Sequence, residues 1–224
     1  MEPGQHEIFV EVSDGRGGTA TGSIVITILP EKEIVLHVGD AGWDTTAHGN
    51  WQIVGDQSAA GGKALHDLNA GMPKVTAPSA TPANYVDVGF AADSTQTYKL
   101  WVRLKADADS WSNDSIWLQF TNAVDSAGRS IAPGAASGIE VNLEECSGCG
   151  VAGWGWRDEA WGQRDVVGVL TVRFTQSGWQ HVRIQTREDG VSVDQVVLSS
   201  EQYRTTRPGA VKNDTTILRG NVYW

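Results

Sequence analysis

Apolar and polar residues alternate with a period of two along most of this chain. The alternation is carried by EIFVEV at 7–12, GSIVITIL at 22–29, EIVLHV at 33–38, YVDVGF at 85–90, YKLWVRLKA at 98–106, SIWLQF at 115–120, VGVLTVRF at 167–174, QHVRIQT at 180–186 and VSVDQVVLS at 191–199. Period two sends successive side chains to opposite faces of a strand, so each run predicts a strand with one face towards a core. Helical periodicity is confined to short stretches around Ala59 to Leu68. The predicted fold class is all-β, and strands separated by long loops predict a two-sheet sandwich rather than an up-and-down barrel.

The first thirty residues behave differently from the rest. Two alternating runs flank SDGRGGTAT, where Asp-Gly and Gly-Gly supply the positive φ angles of a tight connection. Residues 1–30 therefore predict a β-hairpin extension. An isolated hairpin is marginal in water, so it must dock on the main domain, pair with another chain or remain loose. Pro30, followed by EKE, marks the boundary. The main domain is expected over 33–203, and a polar tail over 204–224 ends in Val222, Tyr223 and Trp224, expected to pack on the sandwich or on a neighbour.

Composition narrows the partners. Twenty-seven acidic against 17 basic residues give a net charge of -10, which repels phosphate backbones and anionic headgroups. Nucleic acid is not an expected partner, and no run of 18 apolar residues predicts a membrane-spanning helix. Neutral ligands or calcium suit this charge better. The opening MEPGQHEIFV lacks the basic and apolar regions of a signal peptide, so localisation must come from resemblance. No G-x-S-x-G, H-E-x-x-H, P-loop or dinucleotide fingerprint occurs, and the His residues stand singly at 6, 37, 48, 66 and 181. Asp158 with Glu159 is the best nomination for a glycosidase pair, but adjacent residues on one loop do not readily face opposite sides of a sugar. No enzyme is expected.

Cys146 and Cys149 stand at C-x-x-C spacing among glycines with no helical run after them, unlike redox motifs. They read as a small disulfide stapling a loop, with free thiols the alternative. A zinc site would need two further ligands, and no second pair is present.

The chain holds ten Trp. Trp101, Trp117 and Trp179 fall in or beside alternating strands and are expected in the core. Trp154, Trp156 and Trp161 instead crowd GVAGWGWRDEAWGQ, which lacks strand alternation. Indole faces stack on the apolar C–H face of a sugar, while Arg157, Asp158, Glu159, Gln163 and Arg164 beside them offer hydrogen bonds to its hydroxyls. The alternative is a self-packed loop whose rings cover the end of the sandwich.

In KADADSWSNDS, at 105–115, Asp107, Asp109, Asn113 and Asp114 surround Trp111. Their spacing is not the EF-hand pattern and its terminal Glu is missing. A calcium loop and an Asx-rich turn remain alternatives, and Trp111 and Asn113 are candidates for the same binding face. Asp194 lies in a strand between Val193 and Val196, where a carboxylate needs a partner: Arg183, Arg187, backbone amides or a bound cation.

The string REDGVSVDQVVLSSEQY resembles the closing strands of family 6 and family 35 carbohydrate-binding modules, and AAGGKAL at 59–65 resembles their early Gly-Gly segment. FVEVSDGRGGTATGSIVITI is similar to the closing hairpin of cadherin-like or PKD-like repeats. The resemblance implies a jelly-roll β-sandwich of a bacterial surface protein, extracellular or at the cell surface, binding a polysaccharide at its loops or along one edge. It also implies structural Ca2+, with Asp194 as its ligand. The relatives carry a Glu where VLHVGDA has His37, and that departure weakens the metal site. The alternative to a binding module is a filament or adhesin subunit that donates residues 1–30 to a neighbouring copy and so self-associates.

Overall fold

The computed structural model describes residues 4–28, 32–40, 45–158, 160–162 and 170–221. The chain divides into two units, Met1–Glu31 and Lys32–Trp224.

The first unit is the expected hairpin, β1 (Gly4–Ser13) paired antiparallel with β2 (Thr19–Ile28). Asp14 shapes its turn, its Oδ1 accepting the Arg16 and Gly18 amides at 2.8 and 2.9 Å. The register sets Ile8 opposite Ile24, Val10 opposite Gly22 and Val12 opposite Ala20, which places these apolar residues on one face.

The second unit contains β3 (Glu33–His37), β4 (Thr45–His48), β5 (Trp51–Gly55), β6 (Lys63–Asp67), β7 (Tyr85–Ala92), β8 (Tyr98–Ala106) and β9 (Ser115–Phe120). It continues with β10 (Ala123–Val124), β11 (Ile139–Asn142), β12 (Gly155–Arg157), β13 (Thr171–Phe174), β14 (Gly178–Thr186) and β15 (Val191–Ser199). One sheet has the order β10-β13-β8-β15-β6-β5, with β12 also on β8 and β3 also on β15; the other has the order β11-β9-β14-β7-β4. All their pairings are antiparallel, and the fold is an all-β sandwich.

Alternation fills the space between the sheets as the sequence predicts. Val86, Val88 and Phe90 of β7, Leu118 and Phe120 of β9, and Val182 and Ile184 of β14 meet Leu100, Val102 and Leu104 of β8 and Val196 and Leu198 of β15. Phe90, Phe120 and Phe174 meet edge to face at the centre.

A second apolar cluster lies on the outer face of the larger sheet. Val35, Trp101, Trp156 and Val197 pack there under Tyr203 and Leu218 of the C-terminal segment. The segment is fixed by polar contacts: Gln195 and Leu218 exchange hydrogen bonds of 2.8 and 3.1 Å, and the Asn221 amide donates to the Val35 carbonyl at 2.9 Å. This second layer explains why β8 and β15 are buried along nearly their whole length. Val222 to Trp224 lie outside the described residues.

Two expectations are corrected. The stretch Ala59 to Leu68 contains one 3-10 turn, Ala60–Gly62, followed by β6, because Leu65 must point into the core and pair beside Val193 of β15. Trp179 is exposed rather than central, since Val182 and Ile184 take the inward positions of β14 and leave Trp179 with the outward phase.

Candidate ligand-binding cleft

Trp111 and Trp161 meet at one cleft of about 560 Å³, lined also by Lys74, Asn142, Glu144, Ser147, Gly148 and Gly150. Trp111 is 68% exposed and Trp161 50% exposed. Four segments between strands contribute to the site: those carrying Lys74 before β7, Trp111 between β8 and β9, Glu144 to Gly150 between β11 and β12, and Trp161 after β12. Trp111 stands on the β8–β9 loop, which turns sharply through positive φ angles at Ala108 and Asp109. Asp109 anchors that loop by accepting the Gly153 amide at 2.9 Å.

The opposite wall follows β11. Cys146 and Cys149 form the disulfide read from their spacing, and the Cys149 amide closes a turn on the Cys146 carbonyl at 2.9 Å. Ser147 and Gly148, between the two cysteines, face the cleft. Glu144 braces this wall and ties it to Trp161 beyond β12: its Oε1 accepts the Gly150 amide at 2.9 Å and its Oε2 the Trp161 indole N–H at 3.3 Å. Beneath it the Glu144 amide donates to Asp114 Oδ2 at 2.8 Å and Asn142 Oδ1 at 3.0 Å. Lys74 is held by Glu188 at 2.7 Å.

The chemistry offered is aromatic and hydrogen-bonding. Two indoles with open faces offer stacking surfaces, and a partly committed carboxylate, an amide and a hydroxyl surround them. Each carboxylate oxygen of Glu144 takes one donor from the protein and retains a further lone pair for a ligand hydroxyl.

Other residues expected at the site are placed elsewhere. Trp154 and Trp156 are 3% and 0% exposed, which corrects the expectation that both face solvent. The reason is β12, which pairs with β8 and lays the rings against the covered outer side of the sheet. Trp156 donates to Asp214 Oδ1 at 3.1 Å, and Trp154 donates to Ser58 Oγ at 3.0 Å under the Arg103 guanidinium. Gly155 belongs to this packing, because a Cβ there would lie 2.0 Å from the Val211 carbonyl oxygen. Arg157 is likewise buried, donating to the Asn142 carbonyl at 3.0 Å and to Glu145 Oε1 at 2.8 Å. Asp158 is sealed in an ion pair with Lys99, so the nominated catalytic pair has no open carboxylate at that position; Glu159, Gln163 and Arg164 lie outside the described residues. Asn113 is buried against Gly190, behind rather than within the cleft.

Asp194 does not fit the metal expectation. It falls where the β15–β8 register shifts between Val193 and Gln195, and it has no exposed surface. Its Oδ2 accepts Arg103 Nη1 at 2.5 Å and the Ala60 amide at 2.9 Å, whereas Arg183 pairs with Asp87 and Arg187 with Glu140. The β8–β9 loop is an Asx-rich turn: Asp109 and Asp114 accept backbone amides, and Asp107 lies 3.7 Å from His66. Among the described residues no group of three or more His, Cys, Asp or Glu side chains is placed to hold a metal ion.

Sequence reasoning missed Lys74, Asn142 and Glu144. Glu144 carried a signal in its position just before the cysteine pair, but nothing local tells which of Glu144 and Glu145 turns towards the cleft.

No family model matches the chain, and no curated protein matches it. Its likenesses are to solved structures. A family 35 carbohydrate-binding module from Clostridium thermocellum is 13% identical over 74% of this chain and 97% of that one, with a TM-score of 0.39. The C-terminal family 6 module of a marine laminarinase from Zobellia galactanivorans is 9% identical over 75% and 98%, at 0.40. A GH26-CBM35 β-(1,4)-mannanase from Podospora anserina is 11% identical over 79% of this chain and 29% of its own, at 0.45. These neighbours are, or contain, carbohydrate-binding modules.

Proposed function

We propose that this module binds a polysaccharide without cleaving it, stacking sugar rings on Trp111 and Trp161 at the edge of the sandwich. The observation that carries the reading is the convergence of two half-exposed to exposed indoles on one cleft with Glu144 and Asn142 at its floor. Trp is costly to leave in water, and a sugar ring covers it without demanding a deep pocket. The surface disulfide accords with a secreted or cell-surface setting. Affinity electrophoresis against a polysaccharide panel tests it: migration retarded by at least one polysaccharide, and restored in Trp111→Ala and Trp161→Ala, is the expected result. If both variants are retarded as strongly as the parent, the cleft is not the site.

A second reading, self-association through the N-terminal arm, draws on the exposed apolar face of Val10, Val12 and Ile24 in the hairpin. Light scattering of the full chain and of a Val10→Lys, Ile24→Lys variant separates it from the first: an assembly that the substitutions dissolve supports donation, and a monomer in both removes it.

A further inference from the structure

Lys99, near the start of β8, and Asp158, just past the end of β12, form an ion pair whose side chains are 1% and 0% exposed. The pairing of β12 with β8 sets Trp156 opposite Arg103, and the alternation of an extended chain returns Asp158 to that same side of the sheet, where Lys99 and Trp101 also lie. The Lys99 nitrogen stands 5.2 Å from the centre of the Trp101 ring, on the face that Tyr203 and Leu218 cover.

This pair differs from the other buried ions. Arg103 spreads its donors over Asp194, Asp214 and the Asp214 carbonyl, and Arg157 over Glu145 and the Asn142 carbonyl. Among the described residues, Lys99 Nζ and both carboxyl oxygens of Asp158 make no hydrogen bond. A buried ammonium and carboxylate in that position have lost their hydration and retain only their mutual attraction, a poor arrangement for a stabilising salt bridge. It is a good arrangement for two reactants held together away from water.

We propose that Lys99 and Asp158 join in an intramolecular amide bond, a modification that the chain forms by itself once folded. Passing one proton from the ammonium to the carboxylate leaves an amine and a carboxylic acid. The Lys99 nitrogen lone pair adds to the Asp158 carboxyl carbon, the C–O bond to the hydroxyl breaks, and the hydroxyl leaves with a proton from the nitrogen as one water. No oxidant, reductant or cofactor enters. Folding supplies what the reaction lacks in solution: contact between one amine and one carboxyl, and exclusion of the water that reverses it. The product exchanges two buried charges for one neutral N–H and one carbonyl, which leaves less polarity to satisfy. β12 is three residues long, so a covalent tie to β8 at its end adds much to a brief ladder. The same tie fixes the start of the segment that carries Trp161, whether or not the cleft binds sugar.

Mass spectrometry of the full folded chain tests the bond. The expected mass is that of the sequence less the two hydrogens of the disulfide and less one water. Peptide mapping should place the lost water in a branched peptide that joins the Lys99 and Asp158 segments, with no tryptic cleavage after Lys99. Lys99→Arg keeps a cation beside Asp158, but its guanidinium holds its proton and does not attack a carboxyl, so the variant should regain the water and melt at a lower temperature. A parent that lacks only the disulfide hydrogens overturns the proposal. So does a water loss that persists in Lys99→Arg, or one that maps to a succinimide at Asp14-Gly15 or Asp189-Gly190. Mapping of the parent decides the linkage even if the variant fails to fold.

Discussion

Trp161 donates its indole N–H to Oε2 of Glu144 at 3.3 Å, and the other oxygen of the same carboxylate holds the Gly150 amide. One side chain thus orients an exposed ring and fixes the wall beside it. Exposed indoles rotate freely unless something restrains them, so this bond sets the angle at which Trp161 is offered to a ligand. Glu144→Ala is expected to weaken polysaccharide affinity by about three- to tenfold, an order consistent with one lost orienting hydrogen bond. Glu144→Gln retains one acceptor oxygen and should fall between. Titration calorimetry on both variants checks the order.

The four tryptophans of the two loops separate into two behaviours. Trp111→Ala and Trp161→Ala are expected to lose binding with little change in thermal stability. Trp154→Ala and Trp156→Ala are expected to cost about 3–5 kcal/mol of stability, since each empties a packed site and removes an indole hydrogen bond. Urea denaturation of the four variants beside the affinity measurements gives the contrast directly; a stable Trp156→Ala that fails to bind would contradict the packing assignment.

Arg103 lies fully buried between Asp194 and Asp214, bonded to Asp194 Oδ2 at 2.5 Å and Asp214 Oδ1 at 3.2 Å. Arg103→Met leaves both carboxylates without their cation and should destabilise the fold by roughly 3–5 kcal/mol. Adding Asp194→Asn should recover part of that loss. Independent, additive effects of the two substitutions would argue that the pair is not coupled.

Reducing the disulfide should be felt more by the ligand than by the fold. The cysteines are three positions apart, so the chain-entropy stabilisation is at most about 2 kcal/mol. Glu144 and Gly150 remain hydrogen-bonded on either side of the pair, whereas Ser147 and Gly148 lose their constraint. Dithiothreitol, or Cys146→Ser with Cys149→Ser, should leave the circular dichroism spectrum unchanged and weaken polysaccharide affinity.

Stability should peak in mild acid. Burial pushes Asp67 up to about 6 and Asp114 to about 8, so the native state binds protons that the unfolded chain has already released. Their contribution is complete below the ordinary carboxylate range and is lost as pH rises through about 6 and then about 8. Asp56 has the opposite sign: burial opposes its ionisation, but Lys105 and Ser58 outweigh this and hold it down to about 2, so its contribution fades as pH falls towards that value. Urea midpoints are expected to decline between about pH 5 and 8, with Asp67→Asn shallower than the parent. A midpoint that climbs steadily to pH 8 would reverse the assignment.

The alternating runs of β7, β8, β9, β14 and β15 were legible because period two is a local property that each strand carries in its own sequence. The short strands β4, β5, β10, β11 and β12 were not, since edge positions and brief pairings tolerate polar residues and leave no sustained pattern. Trp156 looked like a loop residue for the same reason: only its pairing with β8 and the C-terminal segment laid over it make its position interior.

By itself the sequence determined the all-β class, the hairpin, the disulfide, and Trp111 and Trp161 as candidates for one face. Tertiary structure alone decided which indoles remained open. Asp214 takes the ring N–H of Trp156 and Glu144 that of Trp161, pairings between residues distant in the chain, and only the packed fold says which ring is covered and which is aimed outward.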